Sequence, residues 1–477
     1  MKVLFAASEA VPFAKTGGLA DVIGSLPKEL AKLGTDVRVI LPNYEDVPAV
    51  YKEQMETVAT FNLTMGWRNL YCGILQLVHD GITFYFIDNE YYYRRKGCYG
   101  YGDDAERFAY FCRAVLDALP YIDFMPDIIH CHDWQTGMIP VLLRAHFSWQ
   151  EPYKHIKTMM TIHNLMYQGV FAKEMFEDFF ALGEEHFSGY ALEMHGGASF
   201  LKGGLLYSDV ITTVSPTYAS EIQMPFYGEN MDSLLRSQSH RLYGIVNGID
   251  YDEFDPMTDP RVDVNYRDSF AKKQQNKLLL QERLGLPIRK EVPLIALVTR
   301  LVEQKGIDLI DHVIEQLLAL EAQWVVLGTG EQRFERLFQW AADRYPDKLS
   351  ANILFDETLA RKIYAGSDLF LMPSKFEPCG IGQLIAMRYR SVPIVRETGG
   401  LCDTVQAYNE ETGEGTGFSF SYYNAHDMLY TVERAVRIYS NAEAWAAILN
   451  NIKKKDFSWR KSAAAYAVLY DKLVKGT

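Results

Sequence analysis

Twice in this 477-residue chain an apolar stretch runs into a Gly-Gly pair and then into amphipathic sequence. Val3 to Ala7 precedes Lys15-Thr16-Gly17-Gly18-Leu19, after which Leu19, Val22, Ile23, Leu26, Leu30 and Leu33 recur on one helical face. Val392 to Val395 and Arg396 precede Thr398-Gly399-Gly400-Leu401. A strand feeding a helix through glycine is the unit of α/β folds with parallel sheets. Glycine lets the main chain approach a ligand closely, and a helix amino end offers unpaired N–H groups and positive potential to an anion such as phosphate. Lys15 and Arg396 add a full charge beside the two turns. A tight turn would account for either pair, but an αL turn does not call for a neighbouring cation.

The strand–helix alternation extends over the whole chain. Strands are expected at 3–7, 37–41, 71–78, 82–87, 127–131, 157–162 and 209–214, then at 293–299, 323–327, 351–355, 368–372, 392–396 and 416–420. One hydrophobic core does not serve a chain of this length. Two Rossmann-like α/β domains are therefore expected, 1–246 and 247–457, with a ligand held in a deep cleft between them. A last helix, 458–477, could return to the first domain. Asn247 to Pro260 is polar and turn-rich, and reads as a hinge.

Composition narrows the function. The chain is 48% hydrophobic and 23% charged, as in ordinary globular proteins, and no apolar run approaches the ~20 residues that span a bilayer. With no signal peptide either, a cytoplasmic protein with no membrane partner is expected. The six cysteines lack Cys-x-x-Cys spacing, which points to reduced thiols rather than disulfides or a zinc site. A net charge of −13 argues against nucleic acid. Any phosphate ligand must therefore be met by local cations.

Open α/β sheets bind ligands at strand ends, and chemistry-bearing residues collect there. His130-Cys131-His132-Asp133-Trp134 closes one strand and Thr161-Ile162-His163-Asn164 the next. His-x-His-Asp has metal-ligand spacing, but no third ligand is supplied locally, so no metal is expected. Asp133 and His163 suit hydroxyl binding or charge stabilisation; Asp133 equally suits capping of the following helix. In the second half, Thr299-Arg300 and Gln304-Lys305-Gly306 put two cations at a helix amino end, a setting for a diphosphate. Pro373-Ser374-Lys375-Phe376-Glu377-Pro378-Cys379-Gly380 presents one carboxylate on a proline-braced loop. Gly328-Thr329-Gly330 resembles a dinucleotide fingerprint, but Arg333 holds the third glycine position, which weakens a dehydrogenase reading. Asp250-Tyr251-Asp252 has the form of a manganese-binding Asp-x-Asp but falls in the hinge. Tyr91, Tyr92, Tyr93, Tyr99 and Tyr101 could stack on sugar rings or fill a core.

Read together, these motifs resemble the bacterial glycogen synthases and plastid starch synthases: Lys-Thr-Gly-Gly-Leu, His-Asp-Trp, Ile-His-Asn, Ser215-Pro216-Thr217-Tyr218, Asn247-Gly248-Ile249-Asp250, Arg300 with Gln304-Lys305-Gly306, Phe376-Glu377-Pro378-Cys379-Gly380 and Thr398-Gly399-Gly400-Leu401, in family order over essentially the whole chain. The resemblance implies a B-type glycosyltransferase fold and a retaining, metal-independent transfer of glucose from ADP-glucose to the 4-hydroxyl of an α-1,4-glucan, with no cofactor. It implies that Arg300 and Lys305 neutralise the leaving diphosphate and that Lys15, Thr16, Gly17 and Gly18, with Asp21 nearby, close on it. His163, Asp133 and Asn164 would line the glucose site. Glu377, Cys379 and Gly380 would hold glucose hydroxyls, and Asn247, Thr398, Gly399 and Gly400 would complete the contacts. Phe355 is a candidate to stack on adenine or to pack in the core, and Tyr93 to touch the acceptor.

Two rivals carry their own requirements. An α-glucan phosphorylase needs pyridoxal phosphate on a lysine; a non-catalytic glucan-binding protein has no use for paired cations. One position departs from the family. Relatives usually carry glycine where this chain has Arg390, between a helix and a strand, so a left-handed backbone strained by roughly 1 kcal/mol is expected there.

Overall fold

The computed structural model describes residues 1–476. The chain forms two compact units, one from residues 1–214, 219–245 and 459–477 and one from 215–218 and 246–458.

The first unit holds β1 (Lys2–Ala6), β2 (Asp36–Pro42), β3 (Glu56–Met65), β4 (Arg68–His79), β5 (Ile82–Asp88), β6 (Ile128–His132), β7 (Lys157–Ile162), β8 (Val170–Phe171), β9 (Glu193–Met194), β10 (Gly197–Ser199), β11 (Val210–Thr213) and β12 (Leu242–Gly244). Nine of them make one sheet in the order β12-β11-β7-β6-β1-β2-β5-β4-β3, and β8, β10 and β9 make a small antiparallel one. The large sheet is parallel except at β4, which runs against both β5 and β3. β1 reads as an unbroken apolar run because helices cover both faces of a parallel sheet, and Val3, Leu4, Phe5 and Ala6 are all fully buried. β3, β12 and the three short strands β8, β9 and β10 are not legible in the sequence. β3 is a largely exposed edge of polar and small residues, so it lacks the apolar face that marks a strand.

The C-terminal helix Trp459–Lys475 packs in this first unit, against the helix Gly18–Lys32 that follows the first glycine pair. Tyr470 on it hydrogen-bonds His130 of β6 at 2.7 Å.

The second unit holds β13 (Leu294–Val298), β14 (Gln323–Leu327), β15 (Leu349–Asn352), β16 (Leu369–Met372), β17 (Val392–Arg396) and β18 (Phe418–Phe420). They form one parallel sheet in the order β15-β14-β13-β16-β17-β18. Numbered within the unit this is 3-2-1-4-5-6, the doubly wound dinucleotide-type order, with its switch point between β13 and β16. Ser215–Tyr218 belongs to this unit: Ser215 Oγ donates to Pro378 O at 2.6 Å, and Thr217 donates through N and Oγ1 to Asp403. Among the described residues no helix is long and apolar enough to cross a membrane.

Candidate active site

In each of the two larger sheets the strand order turns about the strand that comes first in the chain, and the loops leaving the strands there carry the candidate residues. In the first unit the reversal lies between β1 and β6. The loop after β1 is anchored by Glu9, a buried carboxylate that accepts from Thr16 N at 2.5 Å and Thr16 Oγ1 at 3.1 Å. Burial pushes the Glu9 carboxyl up, against the hydrogen bonds from Thr16, Tyr99 and the Gly17 N–H that lower it. Lys15 is 51% exposed and donates to Asp21 at 2.7 Å. Gly17 is extended at φ −156°, and a Cβ there would meet nothing within 4 Å. Neither backbone strain nor packing within this unit calls for glycine at 17.

Asp133 follows β6 at φ 56°, a left-handed conformation rare outside glycine. Its side chain makes no capping bond to the turn that follows. Oδ1 instead accepts from the main-chain N of His163 at 2.8 Å, and the Asn164 N–H donates to the same carboxyl. The capping role is thus corrected: the side chain reaches to the end of β7. Burial raises Asp133 to about 7, while the two N–H donors pull it down. His163 is partly buried, its Nε2 3.0 Å from Nδ1 of His132, and burial lowers it to about 3, so the ring is neutral. Asn164 Oδ1 accepts from Met166 N at 3.1 Å, which turns its carbonyl inward to the loop. His130 uses both ring nitrogens, Nδ1 on Tyr470 Oη and Nε2 on Thr161 Oγ1 at 2.6 Å, and so ties β6 to its neighbours. Among the described residues no group of three or more His, Cys, Asp or Glu could hold a metal ion.

In the second unit the switch point brings the loop after β13 beside the loop after β16. Gly306 has φ 75°, and a Cβ there would lie 2.0 Å from Pro373 O, so the 303–306 turn packs tightly on the β16 loop. Lys375 N donates to Gln304 O at 2.9 Å across the same seam. This places Lys305 Nζ 2.6 Å from Glu377 Oε2, which also accepts from Ser374 Oγ at 3.0 Å. Arg300, just beyond β13, is exposed and forms no ion pair among the described residues.

The second glycine pair differs from the first. Gly399 has φ 45° and a Cβ there would sit 2.0 Å from Glu377 O, while one on Gly400 would sit 2.0 Å from Cys379 O. These glycines let the chain close against the Glu377–Cys379 loop, so packing explains them. Arg396 is turned inward, donating to Lys375 O at 2.6 Å, and braces that loop rather than standing free for an anion. Thr398, Asn247 and Cys379 are buried beside it. The Asn247 N–H donates to the Cys379 thiol, which burial holds up at about 12 and hence protonated. Gly380 is left-handed at φ 72°, and Gln383 Nε2 donates to Cys379 O and Gly380 O.

Other expectations are corrected. Tyr93 is 0% exposed, donates to Arg107 O at 3.1 Å and packs on Tyr44 and Tyr110, so it cannot touch an acceptor. Tyr92 is buried too, and of this run only Tyr91 stands in solvent. Phe355 lies beyond β15 rather than on it and is 90% exposed, which removes core packing and leaves a free aromatic face. Asp250 accepts from Asp252 N and Glu253 N in a turn. Arg333 pairs with Glu331 and Glu303. Sequence reasoning missed Glu9 as the anchor of the first loop and weighed His132 only as a metal ligand; the signal available was position, each lying at or just past the C-terminal end of a buried parallel strand.

Two family models match the chain: starch synthase catalytic domain over residues 2–237 and glycosyl transferases group 1 over residues 281–452. A glycogen synthase of Desulforamulus reducens is 57% identical over 475 residues, covering 99% of each chain. That of Anoxybacillus flavithermus is 55% identical over 478 residues, covering 100% of this chain and 99% of its own. Among solved structures, the catalytic domain of starch synthase IV from Arabidopsis thaliana, bound to ADP and acarbose, matches with a TM-score of 0.91 and 34% identity over 99% of both chains. Sucrose-phosphate synthase from Thermosynechococcus elongatus, at TM-score 0.63 and 15% identity over the full length of both, shares the fold.

Proposed function

The chain belongs to the glycogen and starch synthase family of glycosyltransferases, and from that premise we propose that it moves glucose from ADP-glucose to the non-reducing 4-hydroxyl of an α-1,4-glucan with retention of configuration. The observation that carries the reading is the Lys305–Glu377 pair beside Arg300 at the switch point of a 3-2-1-4-5-6 sheet, where doubly wound folds bind nucleotides.

Breaking a glycosyl phosphate leaves a departing anion and a carbon with oxocarbenium character, so fixed positive charge at the diphosphate is the largest stabilisation a protein can offer. Arg300 and Lys305 supply it. Glu377 orients Lys305 and accepts from glucose hydroxyls, with Gly380, Thr398, Gly399, Gly400, Asn247 and the Cys379 main chain shaping that wall. Phe355 offers its face to adenine. In the first unit Lys15 and the main chain of Thr16, Gly17 and Gly18, with Asp21 beside them, take phosphate oxygens, while His163, Asn164 and Asp133 line the sugar.

A covalent double displacement needs a free carboxylate nucleophile about 5 Å from a second carboxyl. Glu377 is committed to Lys305 and Ser374. Same-face attack, in which the leaving phosphate takes the acceptor proton, therefore fits better, and the reaction needs no metal or cofactor. The expected setting is the cytoplasm. Radiolabelled glucose incorporation into glycogen from ADP-glucose and from UDP-glucose, with and without EDTA, tests the reading. Incorporation from neither donor would overturn it, and loss of activity in EDTA would overturn the metal-free step.

A further inference from the structure

His132, the last residue of β6, is fully buried and has no part in the roles assigned above. Its ring stacks on Phe5 with centroids 5.2 Å apart and planes 25° apart. Nδ1 faces Nε2 of His163 at 3.0 Å. Nε2 of His132 is buried with no hydrogen-bond partner among the described residues.

A neutral imidazole carries one proton, so the bond between the two rings admits two arrangements. If His163 Nε2 donates, His132 Nδ1 accepts and its proton sits on Nε2, a buried N–H with no acceptor. If His132 Nδ1 donates, the orphan is a bare lone pair, and His163, accepting at Nε2, carries its proton on Nδ1. Orphaned buried N–H groups are rarer in folded proteins than under-satisfied acceptors, which selects the second arrangement. We propose that His132 is a positioning residue that locks His163 in its Nδ1–H tautomer, so that the ring edge turned to the sugar is a hydrogen-bond donor. The sugar atom that meets it is then a hydroxyl oxygen acting as acceptor.

Both rings remain neutral because burial holds each below its ordinary value, so the pattern is fixed rather than switched by pH. The inference rests on the reading that His163 lines the sugar site, but its first test does not. In the intact protein labelled with 15N-histidine, the His163 signals, identified by their loss in His163→Gln, should show a proton on Nδ1 and a bare Nε2, with His132 protonated on Nδ1. A proton on Nε2 of His163 overturns the proposal whatever the enzyme does.

The second test is kinetic. His132→Asn keeps an amide N–H near the position of Nδ1 and should hold kcat within about 10-fold, whereas His132→Leu removes the donor and should lower kcat by about 10- to 100-fold with a much smaller change in KM for ADP-glucose. Equal losses in the two variants, both folded by circular dichroism, overturn the positioning role. Full activity in His163→Ala would instead remove His163 from the sugar site and leave the tautomer result standing.

Discussion

Lys305 and Glu377, 72 residues apart in sequence, meet at 2.6 Å, the carboxylate buried and the lysine partly so. A phosphate oxygen that reaches Lys305 must share it with this carboxylate, so the cation is aimed before any substrate arrives. Lys305→Ala and Arg300→Ala should each lower turnover at least ~100-fold, as expected for one preorganised charge-stabilising group. Lys305→Ala also strands a carboxylate, at a cost of about 1–3 kcal/mol. Lys305→Ala with Glu377→Gln should recover that stability and none of the activity. Near wild-type turnover in either single variant would remove these cations from the chemistry.

Asp133 should give stability and activity opposite pH trends. Its carboxyl lies at about 7 in the folded chain against an ordinary 3.8. Folding therefore favours the protonated form. That contribution is complete below about pH 4 and is lost as pH rises through about 7. On the proposed reading the ionised form serves the sugar site, so kcat/KM should climb over the same interval. Asp133→Asn should flatten both limbs. Parallel melting-temperature profiles for the two proteins between pH 4 and 8 would show that the carboxyl titrates elsewhere.

The two glycine pairs should respond differently to the same substitution. Gly17→Ala has room for its Cβ and an extended backbone, so stability should be unchanged or higher by up to about 1 kcal/mol, while KM for ADP-glucose rises several-fold. Gly399→Ala puts a Cβ into the Glu377 carbonyl from a left-handed backbone and should destabilise by more than about 2 kcal/mol. Calorimetry and initial rates on both variants decide it. An unaltered KM in Gly17→Ala would mean that no ligand approaches there.

Arg390 has φ 61°, the left-handed backbone expected from its place between a helix and a strand. Its guanidinium pairs with Asp268 at 3.1 Å. Relief of about 1–2 kcal/mol of strain in Arg390→Gly is offset by glycine's entropy in the unfolded chain and by the lost pair. The single variant should melt within a few degrees of the parent. In an Asp268→Ala background the pair is already gone, and the same change should raise Tm by about 2 °C. KM for ADP-glucose should not move in either. A lower Tm in the double variant would mean that glycine's unfolded-state entropy outweighs the strain at 390.

Legibility followed burial. Apolar runs mark thirteen strands in the sequence, and each has a counterpart within a few residues, because a strand covered on both faces must be apolar throughout. The exposed edge strand β3 offers no such signal. At the site, cations and carboxylates at strand ends are visible as residue types. What they bind in the fold is not. Tyr93, a candidate because of its aromatic neighbourhood, is core, and Phe355, balanced between core and ligand, is in solvent.

The sequence by itself determined the α/β alternation, the two-unit organisation and the loops that carry charge, since those depend on local periodicity and on which residue types flank a strand. Only the tertiary structure decided that Lys305 is paired with Glu377, that Arg396 and Gly399 serve the β16 loop, that Asp133 accepts from His163 and Asn164, and that His132 stands behind His163. Each of those contacts joins the ends of different strands. The order in which strands neighbour one another in a sheet is set by packing of the whole unit, and no local pattern in the chain records it.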